Sequence, residues 1–290
     1  MMRAGIGGAA FYAVLYAAVA LGHRSFIFPR QHSGLEPSLE GAEMWKLDAN
    51  GEPAVGLFAP PRDQQPVVVF FHGNGDELVD TVPLARRLRD EGLGVLFAEY
   101  PGFGVASQGT ASEATIYATA ARLLDELRAR GFDGDRVVLV GHSLGTGVAV
   151  ELATRGYGGR MILISPYTSM VDMVGRFMPI LPVSTFVRDR FDNLAKGAKV
   201  TIPTLVVHGD RDMLIPLEMG REIAGGIAGA KLEVIEGGSH NDLFRQKDDK
   251  LLRLIVSFSM KEGTRAGALP REGEAAPRWA SDRAGGARGR

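Results

Sequence analysis

Short runs of β-branched and aromatic residues alternate along most of this chain with longer amphipathic stretches. Residues 67–72, 94–99 and 137–140 are apolar almost without a break, which predicts strands that are buried on both faces. Residues 112–130 have the apolar spacing of an amphipathic helix. Strands that alternate with helices predict an α/β fold, a mostly parallel sheet with helices on both faces. In such sheets ligands bind beyond the carboxyl ends of the strands, so chemically active residues are expected there.

The same alternation continues on either side of these runs. The Asn50-Gly51 pair predicts a hairpin turn between two opening strands. The opening strands are predicted at residues 43–47 and 54–58, further strands at 161–164, 204–207 and 232–235, and further helices at 78–91, 144–154, 217–228 and 251–260. The α/β domain therefore spans residues 38–260. Residues 263–290 are rich in Gly, Ala, Pro, Arg and Glu and are expected to be a disordered tail.

Composition excludes several kinds of site. The chain has no cysteine, which removes disulfides, thiolate nucleophiles and thiolate metal sites. Its 33 Lys and Arg and 34 Asp and Glu residues are interspersed and give a net charge of −1, so no nucleic-acid partner is expected. His72, His142 and His208 have no carboxylates at the spacing that a metal site needs. Neither a metal nor a cofactor is predicted.

The N-terminal segment predicts contact with a membrane. Residues 4–21 carry no charge, with Arg3 before them and Arg24 after them. A helix of this length, at about 1.5 Å per residue, is about 27 Å long and close to the thickness of a bilayer core. We therefore expect residues 1–24 to form a single-pass membrane anchor, whose orientation the flanking charges do not predict. Ala18-Val19-Ala20 matches the A-x-A pattern of a signal-peptide cleavage site, so a cleaved signal peptide and a secreted or periplasmic protein are the alternative. A buried core helix is a third interpretation.

The motif Gly141-His142-Ser143-Leu144-Gly145 matches G-x-S-x-G. It follows the predicted strand 137–140 directly and opens the predicted helix 144–154. On a sharp strand-to-helix turn only small residues fit two positions before and after the serine, which accounts for both glycines. The turn would place Ser143 at a helix N-terminus, where N–H groups favour developing negative charge. Ser143 is therefore the predicted nucleophile; a glycine-rich turn with a capping serine is the alternative.

A serine nucleophile needs a base, and the base needs an acid that orients it. Where this motif stands on an α/β sheet, the acid and then the histidine follow the serine along the chain. Residues 204–207 lead into Asp210 and Asp212, and residues 232–235 lead into His240, the last histidine of the chain. We predict His240 as the general base. Asp212 is preferred as the acid because Asp210 is placed to cap the turn itself.

A glycine-rich loop after the first buried strand is the expected oxyanion hole. Gly73 and Gly75 flank Asn74 and allow the unusual backbone angles that turn an amide into the site. The backbone N–H groups of Asn74 and Leu144 are therefore predicted to be the two oxyanion donors. An ordinary strand-to-helix loop is the alternative.

Several longer motifs resemble the membrane-anchored α/β-hydrolase-domain proteins. They are FHGNGD at 71–76, EYPGFG at 99–104, GHSLGTGVA at 141–149, SPYTSM at 165–170, DRFDN at 189–193, HGDRDMLIP at 208–216 and GGSHND at 237–242. The resemblance covers roughly residues 28–260 and implies the α/β-hydrolase fold, a triad of Ser143, Asp212 and His240, and hydrolysis of carboxylic esters or thioesters. Relatives act on monoacylglycerols, lysophospholipids or S-acylated proteins, and many carry one N-terminal transmembrane helix. Glu99 stands where the group more often has Asp, and Ser239 where Gly is usual.

The segment at about residues 166–200 is an insertion that the bare fold does not require. It is mostly apolar, and at this edge of the sheet it would form one wall of an acyl-chain pocket; a cap that only packs on the domain is the alternative. Together with the anchor it favours a small-molecule or lipid-derived acyl ester as substrate. A serine aminopeptidase and a non-catalytic binding protein on the same fold are the competing interpretations, and the oligomeric state is not predicted.

Overall fold

The computed structural model describes residues 16–22, 24–25, 27–29, 33–245 and 248–260. Eight strands form one sheet in the order β1-β2-β4-β3-β5-β6-β7-β8. They are β1 (Glu43–Ala49), β2 (Glu52–Ala59), β3 (Val67–Phe71), β4 (Gly94–Glu99), β5 (Val137–His142), β6 (Arg160–Ile164), β7 (Thr204–Gly209) and β8 (Lys231–Ile235). β2 is antiparallel to β1 and to β4, and every other neighbouring pair is parallel. The predicted mostly parallel sheet is confirmed.

Helices cover both faces of this sheet. They are α1 (Leu78–Asp90), α2 (Glu113–Ala129), α3 (Leu144–Thr154), α4 (Met170–Phe177), α5 (Asn193–Gly197), α6 (Leu217–Gly226) and α7 (Lys250–Ser259). Successive residues of β3 alternate between two cores: Val69 belongs to the core that α2, α3 and α6 cover, whereas Val68 belongs to the core that α1 and α7 cover. Because both sides of the central strands are buried, their sequences are apolar throughout instead of alternating.

Most predicted elements are present, with different ends. β5 continues two residues beyond the apolar run because Gly141 and His142 still pair with β6. α6 ends at Gly226, earlier than predicted. The insertion between β6 and β7 is folded into α4, a short 3₁₀ turn at Val183–Thr185, and α5. These three elements form the cap, which begins beyond the carboxyl end of β6.

The N-terminal residues that the structure describes lie against the cap. Residues 16–22 are helical, the Tyr16 ring contacts the Phe186 ring at 5.5 Å, and the Tyr16 and Thr185 hydroxyls are 3.0 Å apart. Most of the predicted anchor, residues 1–15, lies outside the described residues, as does the predicted tail at 263–290. Among the helices that the structure does describe, none has both the length and the apolar character needed to cross a bilayer.

Candidate active site

Ser143 occupies a strained turn between β5 and α3. Its φ of 50° and ψ of −117° lie where a residue with a side chain is unfavourable, at a cost of about 1–3 kcal/mol. Neighbouring groups hold the turn: the Ser143 N–H donates to the Ile164 carbonyl at 3.0 Å, and the Thr146 N–H donates to the Ser143 carbonyl at 3.0 Å. The strain presents the hydroxyl above the carboxyl edge of the sheet.

The two glycines of the motif are required by close backbone packing. A Cβ on Gly141 would collide with the carbonyl oxygen of Gly145, and a Cβ on Gly145 would collide with the carbonyl oxygen of Phe71 on β3. α3 therefore begins directly against β3 and β5. The steric reason inferred from the sequence holds in the structure.

Three side chains that are distant in sequence form one hydrogen-bonded row. His240 Nε2 lies 3.1 Å from Ser143 Oγ, and His240 Nδ1 lies 2.7 Å from Asp212 Oδ2. All three residues are more than nine-tenths buried. The carboxylate can only accept, so Nδ1 carries a proton and donates it to Asp212, which leaves the lone pair of Nε2 facing the serine hydroxyl. The order hydroxyl, imidazole, carboxylate is the one that general-base activation of a serine needs.

Asp212 is fixed by its own loop. Its Oδ1 accepts the N–H groups of Leu214 at 3.0 Å and Ile215 at 2.8 Å. Burial alone would raise the pKa of Asp212, but the hydrogen bonds from His240 and Ile215 outweigh it and hold the pKa below its ordinary value. The competing Asp210 lies elsewhere, because its Oδ1 accepts the Gly237 N–H at 2.6 Å. Of the two aspartates, the structure brings only Asp212 to His240.

Asn74 and Leu144 border the same space as the Ser143 hydroxyl. Both residues line one cavity together with Ser143. Leu144 is the first residue of α3, and the first N–H groups of a helix have no partner within that helix. The two residues predicted to supply oxyanion donors are thus adjacent to the nucleophile.

A buried ion pair supports the loop that carries Asn74. His72 Nε2 lies 3.0 Å from Glu99 Oε1, and His72 Nδ1 lies 2.7 Å from the Gly73 carbonyl oxygen. Both partners are acceptors, so the ring holds a proton on each nitrogen. Burial would lower the pKa of His72, but the hydrogen bond and charge of Glu99 outweigh it and raise the pKa. Glu99 Oε2 also accepts the Leu78 N–H at 3.0 Å, so one carboxylate ties the loop to the start of α1.

An apolar cavity of about 390 Å³ opens beside Ser143. It is lined by Ile27, Asn74, Ser143, Leu144, Tyr167, Met170, Met173, Val174, Phe177, Met178, Leu214 and Ile215. The insertion supplies part of its wall through α4. Ile27 was not predicted, because it precedes the α/β domain in a segment with no pattern that would place it in a site.

A second cavity, of about 410 Å³, borders the nucleophile turn at His142. Its walls include Asp76, Arg87 and Arg245 as well as Phe70 and Phe244, so its lining mixes charged and apolar side chains. This cavity was not predicted from the sequence. Asp76 and His142 belong to two separate sequence motifs, and nothing in the sequence shows that their side chains meet.

Comparisons with known proteins agree with the fold. Residues 68–199 match the model of the alpha/beta hydrolase family. The chain is 27% identical over 199 residues to a protein of Acanthamoeba polyphaga mimivirus named as an alpha/beta hydrolase, an alignment that covers 67% of this chain and 74% of that protein. It is 31% identical over 198 residues to alpha/beta hydrolase domain-containing protein 17C of Xenopus tropicalis, which covers 65% of this chain and 61% of the relative, less than two thirds of its length.

A solved structure shares the same arrangement of strands and helices. The crystal structure of a bacterial membrane phospholipase A superposes with a TM-score of 0.59 at 17% sequence identity and covers 88% of this chain and 98% of that one. At this identity the likeness concerns the fold alone. Sheet topology and nucleophile turn agree with these likenesses: residues 68–199 match the alpha/beta hydrolase family, and the chain has the α/β-hydrolase fold.

Proposed function

We propose that this protein is a serine hydrolase that cleaves carboxylic ester or thioester bonds through Ser143, His240 and Asp212. The observation that carries the proposal is the unbroken row of hydrogen bonds from the Ser143 hydroxyl through His240 to Asp212. Ser143 borders a cavity of about 390 Å³, within the range of pockets that hold small ligands. The row therefore ends at a space that a substrate can enter.

In the proposed reaction the Ser143 Oγ attacks the acyl carbon while its proton moves to His240 Nε2. The tetrahedral oxyanion is held by the N–H groups of Asn74 and Leu144. The bond to the leaving oxygen or sulfur then breaks, and that atom takes the proton from His240. Water attacks the acyl-enzyme by the same steps in reverse, which releases the carboxylic acid and restores the serine. Asp212 stays ionised and orients the imidazole throughout.

The apolar lining of the first cavity supports a lipid-derived acyl group as the substrate. Met173, Val174 and Phe177 of the cap line it together with Ile27. Burial of each CH₂ contributes about 0.8 kcal/mol, so kcat/KM is expected to rise about fourfold per carbon until the cavity is filled. A series of nitrophenyl esters from acetyl to octanoyl measures the trend, and a preference for acetyl would contradict it.

An aminopeptidase is less consistent with the cavity. Such an enzyme must hold the protonated amine of the substrate's first residue, which lies on the acyl side of the bond that is cut. Within the described part of the chain, no acidic side chain lines the apolar cavity. An ammonium group placed there would lose hydration without gaining a charged partner, a costly change.

Labelling with a fluorophosphonate probe tests the nucleophile directly. The intact chain is expected to be labelled and the Ser143→Ala variant is not, because the probe reacts only with an activated hydroxyl. Ser107→Ala is the matched control, since Ser107 is exposed and should leave labelling unchanged. A chain that is folded yet resists the probe, or a Ser143→Ala variant that is still labelled, would refute the proposal and leave the binding-protein interpretation.

We also propose that residues 1–24 attach the protein to a membrane, as their uncharged run at 4–21 predicts. Val14→Arg places a charge in the middle of this run, which makes the free energy of membrane insertion less favourable by about 2.5–3.5 kcal/mol. The intact chain is expected to stay with membranes during alkaline carbonate extraction, and the variant is expected to be released. Recovery of a shortened chain in the soluble fraction would instead identify a cleaved signal peptide.

A further inference from the structure

His208 is a buried histidine to which the proposed reaction gives no step. It lies near the carboxyl end of β7, pairs in register with Val234 of β8, and is fully buried. A buried polar side chain in a native structure is normally hydrogen-bonded, and burial without a partner is costly. The contacts of the His208 ring therefore show what the residue does.

One nitrogen of this ring holds the loop that follows Asp212. His208 Nε2 lies 2.8 Å from the Ile215 carbonyl oxygen and 3.6 Å from Asp212 Oδ2. Both oxygens are acceptors, so Nε2 carries the proton and donates it to Ile215. The distance of 3.6 Å to the carboxylate is longer than a normal hydrogen bond. The bond to Ile215 is therefore the one that ties the ring to the loop.

Ile215 in turn holds Asp212. Its N–H donates to Asp212 Oδ1 at 2.8 Å, while its carbonyl oxygen accepts from His208. Both backbone polar groups of Ile215 are thus used to connect these two side chains. The other carboxylate oxygen, Asp212 Oδ2, lies 2.7 Å from His240 Nδ1. A shift of Ile215 would therefore move Asp212 relative to His240.

Helix α6 packs against the other edge of the His208 ring. A Cβ on Gly220 of this helix would lie 2.4 Å from His208 Nδ1 and 3.1 Å from its Cγ, so residue 220 must be glycine for the helix to come this close. In the part of the chain that the structure describes, Nδ1 has no hydrogen-bond partner. The position of the ring thus depends on its bond to Ile215 and on the packing of α6.

The His208 ring is uncharged at neutral pH. Burial lowers its pKa, and the charge of His240 lowers it further. The bond to Ile215 and the charges of Asp212 and Glu218 act in the opposite direction but do not outweigh burial. A charged ring 3.6 Å from Asp212 Oδ2 would compete with His240 for the carboxylate. An uncharged ring supports the loop and leaves the negative charge of Asp212 to the imidazolium that forms on His240.

We propose that His208 is a positioning residue for Asp212: its Nε2–H fixes the Ile215 carbonyl, and Ile215 fixes the carboxylate that orients His240. The inference rests on the proposed hydrolase function, because it explains how the acid of that triad is held in place. No proton passes through the His208 ring, which acts only through Ile215 and Asp212.

Two substitutions of His208 test the hydrogen bond. The amide nitrogen of His208→Gln can take the place of Nε2, whereas His208→Leu has no donor. His208→Leu is expected to lower kcat for nitrophenyl esters by about 10²-fold, the effect of misplacing a catalytic group by about 1 Å, and His208→Gln should keep most of the activity. Because a displaced Asp212 stabilises the His240 imidazolium less, the pH of half-maximal kcat/KM should fall by about one unit in His208→Leu. A loss of stability alone would not move this midpoint, and the His142 ring, 5.2 Å from that of His240, is the same in every variant.

A matched pair of glycines on α6 tests the same idea without altering the histidine. Gly220→Ala places a methyl group against the ring and should reproduce both the lower kcat and the shifted midpoint. Gly225→Ala is the control, because a Cβ at residue 225 meets nothing within 4 Å. The two variants gain the same helix propensity, so only the contact with His208 distinguishes them, and Gly225→Ala should leave kcat and the midpoint unchanged.

Circular dichroism and urea unfolding establish which variants are folded under the assay conditions. A folded His208→Leu variant with the kcat and pH profile of the intact chain would overturn the proposal, as would equal losses in His208→Leu and His208→Gln. If His208→Leu does not fold, Gly220→Ala decides, and unchanged kcat in that variant would overturn the proposal. An intact chain that neither reacts with a fluorophosphonate probe nor cleaves nitrophenyl esters would instead refute the proposed function.

Discussion

Replacing Glu99 with Gln tests whether the buried pair with His72 holds the oxyanion loop in place. Glu99 is 1% exposed and His72 is fully buried, so water cannot take over the lost contacts. One carboxylate oxygen faces His72 Nε2 at 3.0 Å and the other accepts the Leu78 N–H at 3.0 Å. A glutamine has one acceptor, so its NH₂ group must face one of these two donors.

The size of the effect follows from this geometry. Removing one partner of a buried ion pair typically costs about 3–5 kcal/mol, because the other charge is left without compensation. Domains of this kind are stable by only about 5–15 kcal/mol, so Glu99→Gln should lower the free energy of unfolding by a large fraction. The loop that carries Asn74 should also move, and loss of one oxyanion donor lowers kcat by about 10²–10³.

Urea unfolding and ester hydrolysis measure the two effects separately. We expect a lower midpoint with an unchanged slope, and a fall in kcat with little change in KM, since the donor acts on the transition state. Glu222→Gln is the matched control, because Glu222 is exposed on α6 and should change stability by less than about 0.5 kcal/mol. A loss below about 1 kcal/mol for Glu99→Gln, with kcat unchanged, would show that the pair does not support the loop.

Four other changes have expected outcomes. Asp212→Asn should lower kcat for nitrophenyl esters by about 10⁴, because the amide favours the wrong tautomer of His240; a loss below tenfold would contradict the triad. Met173→Trp should fill part of the apolar cavity and reduce the ratio of octanoyl to acetyl ester hydrolysis, and an unchanged ratio would place the acyl chain elsewhere. Gly145→Ala should prevent stable folding, as seen by circular dichroism, because its Cβ collides with β3; a fully folded variant would be inconsistent with that contact. Because the pKa of His72 is raised, protonation of its ring stabilises the fold fully below the ordinary histidine pKa of about 6.5, and this contribution is lost as pH rises through the raised pKa. The difference in free energy of unfolding between wild type and Glu99→Gln should therefore narrow from pH 6 to pH 9. A constant difference would indicate an uncharged ring.

The sheet could be predicted because burial on both faces leaves a strong sequence pattern. Strands such as Val67–Phe71 are apolar throughout, and the helices between them show regular apolar spacing. The ends of elements were less predictable because they depend on pairing. His142 extends β5 through its register with Ile164, and a histidine after an apolar run does not show whether the strand continues.

The positions of Ser143, Asp212 and His240 could be predicted because each follows a strand, and parallel strands bring their carboxyl ends to one edge. The second cavity could not be predicted in this way. It needs the side chain of Asp76, from the loop before α1, beside that of His142, from the end of β5. That contact depends on how loops fold over the edge, which neither spacing nor hydrophobicity specifies.

Ile27 makes the apolar cavity beside Ser143 depend on a segment outside the α/β domain. Its side chain is 3% exposed and forms part of the wall, and its carbonyl oxygen lies 3.5 Å from the Asn74 side-chain amide. A recombinant chain trimmed to begin at the first strand would keep every residue of the proposed triad but lose one side of the apolar cavity. Selectivity measured on such a fragment would describe a wider, wetter site than the one in the intact molecule.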